Sequence, residues 1–374
     1  MKKILIIENQ PDYEIGGIES YNRKLTEIIN NNFKDIIIDK VAIYHPNSNK
    51  NFNFSNNQNY YYAQSKKYNE NLNFFDWILS IFLTRKLVAK LCSRNNYDLI
   101  IDSTLITYKK LLSKNNYWWI QHQTPQYYEH NFYKGLKKVL IKIGCFVLGV
   151  KNNLYFANNL VLYDQDNYNY ILNKRKTPFN FKCIPLCCNV PKNFLPIIDQ
   201  QYSFRKRIIY LGRIDNKQKN IQLLIDINKQ LDLIDFYGNG STDLIQQMGD
   251  HYKGEIYTRK NRLEIISKYK WMILASNYEG FSFSLVEALA VGVPIIVWNN
   301  FISAQYLVNN NQNGYLVKSD EKIDSYSTQI KNFNSIESSL YLKMCKNAYL
   351  FALNNLNIDV FTQDWLNILN NYLI

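Results

Sequence analysis

Short apolar runs alternate with amphipathic stretches through most of this chain, and the pattern runs twice. A short apolar run bounded by turn residues reads as a buried strand, whereas apolar residues three and four apart read as a helix. On that rule Lys2 to Asn9, Asp35 to Tyr44, Asp98 to Ser103, Tyr117 to Gln121, Leu160 to Tyr163 and Phe181 to Leu186 are strands. Gly17 to Asn30 and Phe74 to Cys92 are helices, and residues 46–72, rich in Asn and Tyr, form a surface loop. From Cys187 to Ser203 no helical period is present and Pro191 and Pro196 interrupt the chain, which marks a linker. The alternation then restarts. Arg207 to Leu211, Leu233 to Tyr237, Trp271 to Ala275, Pro294 to Trp298 and Tyr315 to Val317 are strands; Lys219 to Asn228 and Thr242 to Met248 are helices; Ile336 to Leu373 is mostly helical. Such alternation implies parallel sheets covered by helices on both faces. A length of 374 residues suits two such domains, here 1–190 and 203–356, with a final helix at 357–374.

Charge divides unevenly between them. Residues 1–200 hold 26 lysines and arginines against 15 aspartates and glutamates, a net of +11, while the remainder has a net of +2. An anionic partner is therefore expected on the N-terminal half: a membrane surface, a lipid-linked acceptor or nucleic acid. Between Phe132 and Val150, Lys134, Lys137, Lys138 and Lys142 share one helical face, with Ile141 and Leu148 among them, a pattern suited to an anionic bilayer headgroup layer. No nucleic-acid recognition motif is present. The opening strand meets Glu8 too early for a signal peptide, and no stretch of ~18 apolar residues could span a bilayer. Cys92, Cys145, Cys183, Cys187, Cys188 and Cys345 lack paired metal-ligand spacing and read as reduced core residues, so no metal is expected.

The chemistry concentrates in Glu279 to Pro294, EGFSFSLVEALAVGVP. Glu279 falls in the loop after a strand, and Glu287 in the first turns of the helix that follows. The amides of Gly280, Phe281, Ser282, Ser284 and Leu285 lie where a helix N-terminus attracts anions. Upstream, Gly212-Arg213-Ile214-Asp215 ends a strand and Lys219 is expected to open the next helix, which brings two cations to the carboxyl edge of a sheet. An arginine fork and a lysine point charge there suit a diphosphate that gains charge as it departs. Gly16-Gly17-Ile18-Glu19 forms a strand-to-helix turn in the first half, and His122 follows the strand at Tyr117 to Gln121. Gly238-Asn239-Gly240 lacks the third glycine of a dinucleotide fingerprint. His45 and His130 are weaker candidates, and His251 reads as surface.

The two glutamates eight residues apart, with the Gly-Phe-Ser turn and the Gly-x-Pro exit, closely resemble the donor-site signature of the GT-B glycosyltransferases, specifically the retaining family 4. The resemblance covers both halves in layout and is specific over about 207–220 and 271–298. It departs from the family's pattern at Ile184-Pro185-Leu186-Cys187, where Asn-Gly is usual. It implies an α/β GT-B fold, two doubly wound Rossmann-like domains facing across a cleft, with the last helix crossing back to the first domain. It further implies that Arg213 and Lys219 bind pyrophosphate without a metal, that Glu279 and His122 contact the transferred sugar, and that Glu287 contacts the ribose. Gly16 and Gly17 would border the donor phosphates and the acceptor, and Gly238 would line the nucleotide pocket beside Gly212.

The implied activity is transfer of a sugar, with retention, from a nucleotide-diphosphate sugar to a lipid-linked or glycan acceptor in surface polysaccharide or glycolipid assembly. Uridine is the favoured base. No cofactor is implied beyond the donor itself, and the expected location is the cytoplasm, peripheral on the inner face of the plasma membrane. The alternatives are an inactive glycosyltransferase-like subunit that binds a partner and a GT-B sugar-nucleotide epimerase.

Overall fold

The structure, a computed structural model, describes residues 1–11, 17–44, 57–63, 74–104, 106, 108, 110–122, 156–175, 177–191, 205–319 and 321–374. It divides into two compact units. The first comprises Met1–Tyr163, Tyr168–Ile184 and Thr362–Ile374; the second comprises Asp164–Asn167 and Pro185–Phe361. Both are α/β, and every strand pairing in both is parallel.

The first sheet has seven strands in the order β3-β2-β1-β4-β5-β6-β7. They are β1 (Lys2–Glu8), β2 (Ile36–Ala42), β3 (Gln58–Tyr62), β4 (Leu99–Asp102), β5 (Tyr117–Ile120), β6 (Asn159–Leu162) and β7 (Asn180–Cys183). Helix α1 (Gly17–Asn32) buries Leu25, Ile28 and Ile29, and helix α2 (Phe74–Arg94) buries Ile81, Val88 and Leu91. Each such side chain contributes about 1.5–3 kcal/mol by leaving water. Helix α3 (Gln165–Leu172) follows β6. β3 corrects the expected loop at 46–72: its half-buried Gln-Asn-Tyr-Tyr-Tyr pairs with β2 as an edge strand, where branched apolar residues are not required. The C-terminal segment of this unit is anchored by Trp365 Nε1, which donates to Tyr21 Oη at 3.2 Å, and by Trp118 Nε1, which donates to Tyr372 Oη at 3.0 Å.

The second sheet has the order β12-β11-β10-β8-β9. Its strands are β8 (Ile208–Leu211), β9 (Ile234–Tyr237), β10 (Trp271–Leu274), β11 (Ile295–Trp298) and β12 (Gly314–Val317). Helices α4 (Asn216–Lys219), α5 (Ile221–Leu231), α6 (Thr242–Met248), α7 (Arg259–Ile266), α8 (Phe283–Ala290), α9 (Ile302–Leu307), α10 (Ile323–Asn334), α11 (Ser338–Asn355) and α12 (Ile358–Leu373) complete the described chain. Trp271 packs on Tyr341 and Trp298 on Tyr326, so the core is sealed by aromatic pairs.

The single helix expected from Lys219 is instead two. Asn220 adopts a left-handed conformation (φ 52°) between α4 and α5, so Lys219 ends a short helix and does not open a long one. Strand order reverses between β8 and β10, and ligands of open α/β sheets bind outside the carboxyl ends of strands at such a reversal. Cys187, Cys188 and Cys345 are buried and unbridged, as are the half-buried Cys92 and Cys183, while Cys145 lies outside the described residues. Among the described residues no helix is long and apolar enough to cross a membrane, and no group of three metal-ligating side chains is present.

Candidate active site

Two loops leave the sheet at the point where its order reverses. The first, Gly212 to Asp215, runs beside the loop after β9: Gly212 N–H donates to Tyr237 O at 3.0 Å, and Ile214 N–H to Asn239 O at 2.7 Å. The approach is so close that a Cβ on Gly238 would lie 1.8 Å from Gly212 O, and one on Gly240 2.1 Å from Ile214 O. Both glycines also have positive φ, 140° and 149°. The Gly-x-Gly pair is thus demanded by backbone packing at the site's edge.

Asp215 caps α4 by accepting Gln218 N–H at 2.7 Å, and its other oxygen pairs with Arg213 Nε at 2.9 Å. Arg213 also donates to Gln218 Oε1, yet its side chain is 60% exposed and can reach a ligand. Lys219 Nζ pairs with Glu279 Oε1, and both side chains are largely buried. Glu279 further accepts from Ser276 Oγ at 2.8 Å and from Gln218 Nε2 at 3.2 Å. Gln218 stitches the two loops, because its carbonyl also accepts Asn277 N–H at 2.8 Å and its amide reaches Tyr278 O at 3.3 Å. Arg213, Lys219 and Glu279 therefore share one hydrogen-bonded network, with Gly212 and Gly280 next to it in sequence. Gln218 and Ser276 belong to it as well, although neither stands out in the sequence.

The helix α8 begins at this edge. Its first internal bond runs from Val286 N–H to Ser282 O at 3.2 Å, so the amides of Ser284 and Leu285 precede the intrahelical ladder. Ser282 makes no side-chain cap; its Oγ lies 3.1 Å from Ser284 Oγ. Phe281 and Leu285 are buried, so their contribution to a ligand would be through the backbone. Glu287 is 2% exposed. Arg262 of α7 grips it with two nitrogens, Nε at 3.0 Å from Oε2 and Nη2 at 2.8 Å from Oε1. Arg262 was not legible in the sequence, since α7 has no clear apolar stripe.

In the first unit Gly17 opens α1, and Glu19 accepts from Gln10 Nε2 at 3.4 Å. His122 follows β5, with Nδ1 2.5 Å from Tyr163 Oη and Tyr21 edge-on at 5.1 Å. Burial raises the Tyr163 pKa well above its ordinary value and lowers that of His122 to about 3. Tyr163 thus keeps its proton and His122 stays neutral, and the direction of the bond between them follows the imidazole tautomer. That Nε2 is enclosed and has no partner among the described residues. His251 bridges Asp232 and Asp235 in the second unit. Gly16, His45, His130 and the basic stretch 132–150 lie outside the described residues.

Residues 197–351 match the family model described as glycosyl transferases group 1. A curated relative, the UDP-N-acetylglucosamine–peptide N-acetylglucosaminyltransferase GtfA subunit of Streptococcus pneumoniae, is 33% identical over 126 residues. That alignment takes in 31% of this chain and 25% of the relative, so the chain spans about a quarter of that protein's length. Sucrose-phosphate synthase from Thermosynechococcus elongatus superposes with a TM-score of 0.77 at 14% identity, covering 99% of each chain. The pneumococcal O-GlcNAc transferase GtfA in complex with UDP and GlcNAc superposes with a TM-score of 0.53 at 18% identity, covering 78% of this chain and 60% of its own. At these identities the structural likeness speaks to the fold.

Proposed function

We propose that the chain is a glycosyltransferase whose second unit holds a UDP-sugar, with N-acetylglucosamine as the first sugar to test; the match of residues 197–351 to the group 1 glycosyl transferase model supports this reading. The observation that carries this reading is the Lys219–Glu279 pair beside the exposed Arg213, at the reversal of the sheet. An entering diphosphate competes with Glu279 for Lys219. Once Lys219 turns to phosphate, the Glu279 carboxylate is free to accept hydroxyls of the sugar. Arg213 and Lys219 then take up the charge that builds on the departing UDP, so no metal is required. Glu287, oriented by Arg262, accepts ribose hydroxyls. The amides of Gly280 to Leu285 line the sugar and phosphates, with Gly212 and Gly238 at the nucleotide. By the family resemblance, His122 would contact the transferred sugar, and Gly16 and Gly17 would border the acceptor. Attack on the donor's front face, assisted by the leaving phosphate, would retain configuration.

The +11 charge of the N-terminal half supports an anionic, lipid-linked or glycan acceptor at the inner membrane face, in surface polysaccharide or glycolipid assembly. The 126-residue likeness to a peptide-modifying enzyme favours a second reading, a peptide hydroxyl as acceptor. A thermal-shift screen of UDP, GDP, ADP, TDP and CMP with chelator present tests the donor site. A rise with UDP that is lost in Arg213→Ala is the expected result. No rise with any nucleotide would overturn the reading and favour a partner-binding subunit.

A further inference from the structure

One buried polar cluster of the second unit has no part in the donor contacts above. Asp164, Asn167 and Ser303 are 1%, 3% and 1% exposed. Asp164 stands just before α3, and its Oδ1 accepts Asn167 N–H at 2.7 Å, an ordinary helix cap. A cap needs only one carboxylate oxygen. The second, Oδ2, accepts from Asn167 Nδ2 at 2.7 Å and lies 2.6 Å from Ser303 Oγ. Ser303 Oγ in turn lies 2.8 Å from the carbonyl of Gly280, with Asn167 Nδ2 at 3.1 Å. Gly280 directly follows Glu279.

We propose that Ser303, held by Asp164 and Asn167, is a positioning residue that fixes the Gly280 carbonyl and so aims the Glu279 carboxylate at the donor sugar. This rests on the donor-site reading above. Three polar side chains removed from water are costly unless their hydrogen bonds are complete. Here they converge on one loop carbonyl. Ser276, Gln218 and Lys219 hold the Glu279 side chain, and Ser303 holds the main chain just beyond it. Two anchors on opposite sides of one residue define its direction, which one alone does not.

The proton count sharpens the arrangement. A serine hydroxyl has one hydrogen, yet two acceptors stand within its reach. Both bonds form together when Asp164 is protonated: its O–H donates to Ser303 Oγ, and Ser303 donates to Gly280 O. Burial raises the Asp164 pKa and Asp166 adds to the rise, while the bonds from Ser303 and Asn167 oppose it. The net direction is the one the geometry requires.

Three variants test this: Ser303→Ala removes the hydroxyl, Ser303→Thr restores it, and Asp164→Asn supplies an amide donor in place of the acid. Hydrogen exchange of the ligand-free protein over 276–283 reads loop positioning without any donor. Turnover of UDP-N-acetylglucosamine and UDP affinity read its consequence. For Ser303→Ala we expect exchange and kcat/KM each to change by about tenfold, as for one lost hydrogen bond, with UDP affinity unchanged. The threonine and asparagine variants should stay near wild type. Unchanged exchange in Ser303→Ala overturns the proposal, as does UDP affinity falling in step with turnover, which marks a merely structural role. Damage in Asp164→Asn equal to that in Ser303→Ala overturns the protonated carboxyl. Should wild type neither bind UDP nor turn over the donor, the donor-site reading fails, and exchange still decides whether Ser303 holds the loop.

Discussion

The carboxyl edges of the two sheets treat polarity in opposite ways. At the second sheet, charges are kept as charges: Arg213 pairs with Asp215, Lys219 with Glu279, and Arg262 with Glu287. At the first sheet, burial suppresses charge. His122 is held neutral, and the fully buried Asp102 has its pKa raised to about 7 despite accepting from Tyr117 and Thr104. The contrast is one of local chemistry. Paired ions can exchange partners with an anionic ligand at modest cost, because the site is already arranged for charge. Neutral groups in an apolar setting keep their form only while water is excluded, because burial disfavours the charged form.

Removing a cation from the charged edge should have the largest effect. Lys219→Met leaves Glu279 buried without its partner, at a cost of about 3–5 kcal/mol in stability. Donor turnover should fall by about a hundredfold or more, the scale of losing one transition-state charge contact. The double variant Lys219→Met/Glu279→Gln removes both charges. Chemical denaturation should show most of the stability regained, while turnover stays lost. A double variant as unstable as the single one would show that the pair is not the source of the cost.

Arg262→Ala should come next. It removes the two-nitrogen Arg262 fork from the 2%-exposed Glu287, so we expect UDP affinity to fall by about tenfold to a hundredfold, with kcat for bound donor less affected. Arg262→Lys should not rescue it, because a point charge cannot match both carboxylate oxygens. Isothermal titration with UDP reads both. Wild-type affinity in Arg262→Ala would remove Glu287 from the nucleotide site.

Gly238→Ala should act first on the fold. Its Cβ would meet Gly212 O at 1.8 Å on a backbone with φ 140°, so the loop beside Arg213 must move. A melting temperature lowered by several degrees is expected, corresponding to about 1–3 kcal/mol of strain. An unchanged melting temperature would mean that the two loops separate more readily than their hydrogen bonds suggest.

The size of these effects does not follow what the sequence made legible, since Arg262 ranks above Gly238 and His122. Long apolar runs such as Lys2–Glu8 and Trp271–Leu274 fix the strands, because burial on both faces leaves few alternatives. Strand β3 was hidden because an edge strand half in water needs no such run. Arg213, Lys219 and Glu279 were visible as charges at strand ends. Gln218, Arg262 and Ser303 were not, since each acts through hydrogen bonds to residues distant in sequence, and no local pattern encodes that; Ser276 lies only three residues from Glu279, but nothing in its residue type sets it apart. The break at Asn220 was hidden for a related reason: asparagine tolerates the left-handed conformation but does not announce it.

The smallest effect belongs to the neutral edge, and it is read in the pH dependence of stability. His122 has a folded pKa of about 3 against an ordinary value of 6.5, because burial disfavours the imidazolium. The unfolded chain therefore takes up a proton below pH ~6.5 that the folded chain refuses until about pH 3. The stabilising contribution is complete above the unfolded pKa and is lost as pH falls through that window. The slope from this one group is at most about 1.4 kcal/mol per pH unit. His122→Asn keeps an acceptor for the Tyr163 hydroxyl but cannot titrate, so urea midpoints between pH 6.5 and 4 should fall less steeply than in wild type. Its midpoint above pH 7 should lie close to wild type. Equal slopes in the two proteins would mean that His122 is protonated in the fold near its ordinary pKa, and the neutral ring would have to be given up.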